Sequence, residues 1–95
     1  MAAYAIVDVE VTDPARYAEY RQRVPATLAA YGGRFLARGG EHEVVEGHWR
    51  PRRLVLLEFP SLAQAWRWYD SEEYREPKGI RLGASNANVV FVEGV

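Results

Sequence analysis

At 95 residues and 10.8 kDa the chain is the size of one compact unit, with an expected radius of gyration of roughly 12 Å, and we expect residues 1–95 to form a single domain. A 48% hydrophobic, 26% charged composition excludes a disordered or fibrous protein, and twelve basic against thirteen acidic residues leave a net charge of only −1, too little field to favour nucleic acid or a membrane surface. With no cysteine, disulfides and thiolate chemistry are excluded. No apolar run approaches the ~20 residues that span a bilayer, and Met1 to Tyr4 place no basic region ahead of an apolar stretch, so the expected location is cytoplasmic.

In chain order, Ala3 to Val11 alternates Ala5, Val7, Val9 and Val11 against Tyr4, Ile6, Asp8 and Glu10, the period of a strand. Asp13 is placed to cap a helix whose first residue, Pro14, has no N–H to lose. Tyr17, Tyr20, Val24, Leu28 and Tyr31 recur at helical spacing and predict one buried stripe, with Pro25 expected to kink the helix near Val24 or divide it. Gly32 and Gly33 close this element. A short strand, Arg34 to Arg38, runs into Gly39 and Gly40, and a second extended stretch is expected over Glu43 to Glu46. After a loop, Arg53 to Phe59 is a strongly apolar strand. Ser61 and Gln64 have capping-box spacing ahead of a helix that turns Leu62, Ala65, Trp68 and Tyr69 inward with Trp66 at its flank. Asp70 to Glu73 reads as a fresh helix start, Pro77 and Gly79 leave the next turn open, and Asn88 to Glu93 supplies the last strand.

This order predicts the α+β ferredoxin-like βαββαβ pattern, a four-stranded sheet with its helices on one face. Strand alternation divides the sheet into an apolar set (Val7, Val9, Val55, Leu57, Phe59, Val90, Val92) and a mixed set that includes Tyr4, Ile6, Leu54, Leu56, Val89 and Phe91. Helices cover only one of these faces, and monomers seldom leave the other in water. A homodimer packed sheet to sheet is therefore expected, burying about 800 Å² per partner.

Ile6-Val7-Asp8-Val9 with Val11-Thr12-Asp13-Pro14, Ala30-Tyr31-Gly32-Gly33, Arg38-Gly39-Gly40, Leu57-Glu58-Phe59-Pro60, Trp68-Tyr69-Asp70-Ser71 and Arg81-Leu82-Gly83-Ala84-Ser85 stand in an order and spacing that resembles domain-of-unknown-function family 1330. The resemblance spans nearly the whole chain. It implies a dimeric α+β barrel made of two ferredoxin-like sheets, and no particular reaction. The wider barrel superfamily includes cofactor-free monooxygenases, haem-degrading oxygenases and isomerases with a cleft between sheet and helices. His42 and His48 fall in turn or loop context, which departs from the haem-binding members.

Candidate chemistry is spread over few groups. Asp8 and Glu58 share an alternating face and are expected close together on neighbouring parallel strands, where one carboxyl could keep its proton and act as acid or base; pairing with arginine or solvent is the plainer alternative. Arg38, Arg81 and Ser85 form an anion-contact set, set against a role in capping helix carbonyls or pairing Asp70 and Glu73. Trp68 and Tyr69, with Trp66, could shape an aromatic pocket in which Tyr69 donates a proton, or could be simple core. His42 and His48 with Glu41, Glu43 and Glu46 match no standard zinc spacing, so no metal and no cofactor are expected. Arg50, Arg52 and Arg53 are too few for a nucleic-acid groove. Two functions follow: a cofactor-free oxygenase or isomerase acting on a small anionic or aromatic molecule in a sheet–helix cleft, or a non-catalytic ligand-binding or interaction module.

Overall fold

The computed structural model describes all 95 residues. Strand β1 (Ala3–Val11) leads into helix α1 (Pro14–Ala30), followed by β2 (Arg34–Arg38), β3 (Arg53–Phe59), α2 (Leu62–Tyr69), α3 (Glu72–Ala84) and β4 (Ser85–Glu93). The sheet order is β2-β3-β1-β4 and every neighbouring pair is antiparallel, the α+β ferredoxin-like arrangement with three helices on one face. Its extents of 36 × 33 × 17 Å are those of a two-layer slab, which leaves the second sheet face uncovered.

Each helix begins where a short polar side chain replaces the missing intrahelical acceptor. The Arg16 N–H donates to Asp13 Oδ1 at 3.2 Å, the Gln64 N–H to Ser61 Oγ at 3.1 Å and the Tyr74 N–H to Ser71 Oγ at 3.1 Å. The capping box is half formed, because the Gln64 amide reaches across to the Tyr31 carbonyl instead of back to Ser61. At the end of α1, Gly32 adopts φ +73°, and Gly33 lies so close to the Phe59 ring that a Cβ there would overlap it. Two prolines sit inside helices without ending them. Pro25 lies within an unbroken α1 and Pro77 within α3, so the first helix is not divided in two.

Three further expectations are corrected. Glu43 to Glu46 is not a strand; residues 39–52 form an exposed connection tied down by Asp8. The first and third strands run antiparallel, not parallel. The faces of β4 are exchanged: Val7 pairs with Val89 and Ala5 with Phe91, so Val89 and Phe91 face the helices while Val90 and Val92 join Tyr4 and Ile6 on the open face. Both alternating sets of β4 are apolar, so hydropathy alone does not choose between them, and register decides.

The core lies between the helix-facing side of the sheet and the three helices, with Tyr74, Phe59, Leu28 and Val9 its largest fully buried side chains. The open face presents Ile6, Leu54 and Leu56 with the exposed Leu36, Val90 and Val92.

Candidate functional site

Two elements of backbone geometry bring arginines to the inner side of the sheet. In β2 the register shifts between Phe35 and Ala37, a bulge that turns Arg38 to the same side as Phe35, with its guanidinium carbon 4.3 Å from the Phe35 ring centroid. Pro25 has no N–H for the Arg21 carbonyl four residues earlier, and that carbonyl instead accepts a hydrogen bond from Arg38 Nη2. The glycine after Arg38 has φ +71°, and a Cβ there would overlap the Arg53 guanidinium, so Gly39 makes room for a second arginine. Arg53 lies 5.7 Å from the Tyr17 ring centroid, and its buried Nε has no hydrogen-bond partner.

Arg81, carried on α3, is only 4% exposed. Its Nε donates to Tyr74 Oη at 3.3 Å, and Tyr74 Oη lies 2.8 Å from Tyr20 Oη on α1. Arg81 and Tyr74 are seven residues apart, two helical turns, and so share one face of α3. Burial holds the Tyr74 phenol above its ordinary pKa against the opposing pull of Arg81, and burial raises Tyr20 further with Tyr74 adding to it. Both are neutral hydroxyl groups at physiological pH. Burial also lowers the Arg38 pKa, helped by the like charges of Arg21 and Arg53, while at Arg81 burial is outweighed by the Tyr74 oxygen. Both remain cations.

These groups line a cavity between sheet and helices, with about 40 Å³ open to a water-sized sphere. Its walls are mainly apolar or aromatic, with Val7, Val55, Leu57, Trp68 and Tyr69 among them; its charged lining is Arg21, Arg38, Arg53 and Arg81, and no Asp, Glu or His takes part. The chain's five salt bridges use Arg16, Arg23, Arg34, Arg52 and Arg75, so none of the four cavity arginines is neutralised by a carboxylate. The cavity thus presents planar guanidinium donors and phenol hydroxyls with no opposing carboxylate.

Arg38, Trp68, Tyr69 and Arg81 are thus brought together on one cavity. Trp68 is also core: it stacks on Tyr74 with 4.0 Å between centroids and donates its indole N–H to Thr27 Oγ1 at 3.0 Å. Ser85 lies off the cavity, its hydroxyl donating to the Arg81 carbonyl at 2.7 Å. Asp8 and Glu58 are not adjacent. Antiparallel register sets Glu58 opposite Tyr4 and Asp8 opposite Leu54, which separates the carboxylates by roughly 13 Å along the strands. Asp8 accepts from Trp49 Nε1 at 2.8 Å and the Arg52 N–H at 3.0 Å, and Glu58 pairs with Arg34 at 2.6 Å, all on the open face. Sequence reasoning placed Tyr20 in a core stripe and passed over Tyr74; the available signal was that both carry a hydroxyl at a buried position, which must find a partner. His42 and His48 join no cluster of three or more metal-binding side chains, and His42 Nε2 meets the Pro51 carbonyl at 3.0 Å.

A ferredoxin-like fold with a cationic cavity beneath its helices defines the class. The match to the family model Domain of unknown function (DUF1330) runs over residues 2–95, and the chain belongs to that family. No match is found among curated proteins. Among solved structures, the chain is similar to a protein of unknown function from Rhodopseudomonas palustris (16% identity, 99% of this chain and 82% of that one, TM-score 0.81). It is also similar to a dimeric ferredoxin-like protein of unknown function from Jannaschia sp. CCS1 (15% identity, 99% and 100%, TM-score 0.74). A third similar structure is SnoaB, a cofactor-independent oxygenase from Streptomyces nogalater (11% identity, 99% and 93%, TM-score 0.68).

Two predictions follow from this geometry. Pro25→Ala restores an N–H to the Arg21 carbonyl, which should raise stability by about 1 kcal/mol or more while freeing the Arg38 guanidinium, seen by NMR as faster exchange of its side-chain protons. A fall in stability with Arg38 still protected would show that proline does not position it. Because the Tyr20 and Tyr74 phenols are held above their ordinary value near 10, the unfolded chain loses those protons first. Stability should therefore be full below about pH 10 and decline as pH rises beyond it; urea midpoints should fall between pH 9 and 11 in the native protein and less in a Tyr20→Phe, Tyr74→Phe double variant.

Proposed function

We propose that the chain binds a small organic anion, a carboxylate or an enolate or phenolate, in the cavity between sheet and helices, with Arg81 and Arg38 as its principal partners and Tyr20 or Tyr74 donating a hydroxyl. The observation that carries this reading is the convergence of four arginines on an apolar chamber without a carboxylate to neutralise them. Structural arginines in cores are ordinarily paired, because an unpaired buried charge is costly. Here neutral phenol oxygens support Arg81, and an incoming anion would complete the arrangement.

Cofactor-free oxygenation or isomerisation is the second reading, favoured by the likeness to SnoaB. Both reactions need the substrate's enolate or phenolate stabilised, which guanidinium groups in a dry cavity do well. No carboxylate or imidazole lines the cavity as a base, so the substrate's proton would have to be acidic enough to leave to solvent under the field of the arginines. Binding alone makes no such demand and fits the geometry best. Tyr69, at the cavity wall, is a donor in either reading.

The open sheet face is read as the surface on which a second copy packs, giving a homodimer. Its exposed Leu36, Val90 and Val92 beside Ile6, Leu54 and Leu56 support this, as does the dimeric state of the Jannaschia relative.

Calorimetric titration with salicylate and with uncharged salicylamide tests the anion site. Salicylate should bind at least about tenfold more tightly, and Arg38→Met or Arg81→Met should remove the difference; equal binding of acid and amide overturns the reading. Light scattering at micromolar concentration should return twice the 10.8 kDa chain mass, and Val90→Glu should halve it. A native mass of one chain would sink the dimer.

A further inference from the structure

The inner chamber is too small for a whole ligand. About 40 Å³ open to a water-sized sphere is room for roughly three waters, the size of a carboxylate head and little more. Immediately outside it, between α2 and β4, lies a groove of about 280 Å³ whose lining is entirely apolar or aromatic: Leu62, Trp66, Tyr69, Val89 and Phe91. Tyr69 and Val89 line both spaces. The two are therefore neighbours across one wall.

We propose that this groove is the second half of the same ligand site, and that the ligand is an aryl carboxylic acid with a flat body of at least two rings, its acid group inward and its rings along the groove. The inference rests on the anion-binding reading above. Charge orients the ligand, since four arginines line the chamber and no charged residue lines the groove. An aromatic body suits the groove because its walls are rings set edge to face. Trp66 lies 5.2 Å from Phe91 and 5.9 Å from Tyr69, at interplanar angles of 76° and 84°, which leaves ring faces available for stacking. Trp66 is 51% exposed, an unusual placement for so large an apolar surface unless something covers it. The dividing ring is fastened at its outer side: Lys78 Nζ lies 4.3 Å from the Tyr69 ring centroid and donates to the Tyr69 carbonyl at 3.0 Å. Tyr69 thereby stands, with Val89, between the groove and the chamber.

Titration of the full chain with benzoate, biphenyl-4-carboxylate and biphenyl-4-methanol tests this. The biphenyl acid should bind about tenfold more tightly than benzoate, and the alcohol at least about tenfold more weakly than the biphenyl acid. Trp66→Ala, at a half-exposed position, should cut the biphenyl acid's advantage over benzoate to about twofold or less, and Leu62→Glu, which sets a negative charge in the groove, should do the same. Arg38→Met should weaken both acids alike. If the biphenyl acid gains nothing over benzoate, or its gain survives both groove variants, the groove proposal falls while the anion site stands. If neither acid binds, both fall. If Trp66→Ala halves the mass seen by light scattering, the groove is a contact between copies and the proposal is overturned.

Discussion

A guanidinium group buried to 4% exposure with no carboxylate in contact is the constraint around which the helical layer is arranged. Desolvating such a charge costs several kcal/mol even after relaxation, and the chain offsets it with oxygen dipoles in place of an opposite charge. Arg81 leans on Tyr74 two turns earlier in α3, and Tyr74 leans on Tyr20 of α1. The packing of α1 against α3 thus contains a continuous polar thread from one helix to the other. Trp68 stacks on the Tyr74 ring and closes the thread from above, fixed by its own hydrogen bond to Thr27. Removing the charge would leave the two phenols satisfied by each other, so the hydroxyl pair does not itself require Arg81.

Backbone irregularities serve the same end. A bulge in β2 and a proline inside α1 would each read as a local fault, since the first breaks strand alternation and the second removes a helical hydrogen bond. Together they deliver Arg38: the bulge turns it inward and the carbonyl that Pro25 leaves free holds it. Gly39, in a left-handed conformation, gives Arg53 its space. Local rules are broken where they meet at the cavity, which is where such violations are expected to collect.

Much of the architecture is legible in the sequence because it depends on periodicity and caps. The strand at Ala3 to Val11, the Asp13 and Ser61 caps, a helix start within Asp70 to Glu73 and the inward turn of Ala65 and Trp68 follow from spacing alone. What escaped depended on register or on carbonyls. Val89 and Val90 are equivalent by hydropathy, so the faces of β4 were exchanged until pairing with Val7 decided them. Alternation likewise puts Asp8 and Glu58 on one face without fixing their register, and antiparallel pairing sets them at different levels of the sheet. Pro25 looked like a helix breaker because the partner for Arg21 lies seventeen residues away in β2. Of the site, Arg38, Arg81, Trp68 and Tyr69 were recognisable by residue type, whereas Tyr20, Tyr74, Arg21 and Arg53 become site residues only once α1, α3 and β3 are brought together.

The net charge of −1 conceals a separation of sign. The arginines that meet carboxylates do so on the outside, at Arg16, Arg23, Arg34, Arg52 and Arg75, and those exposed pairs are worth little energetically. Their effect is to cancel charge over the surface. Asp8 and Glu58 are quieted in the same way on the open sheet face, by the loop at Trp49 and Arg52 and by Arg34, which leaves that face apolar and electrically flat. Four of the arginines that meet no carboxylate, Arg21, Arg38, Arg53 and Arg81, line the cavity, and of these Arg81 is the buried one. A chain balanced in composition thus sets four arginines on the cavity and leaves the remaining eight basic residues outnumbered by thirteen acidic ones, so the sign at the cavity is opposite to that of the rest of the chain.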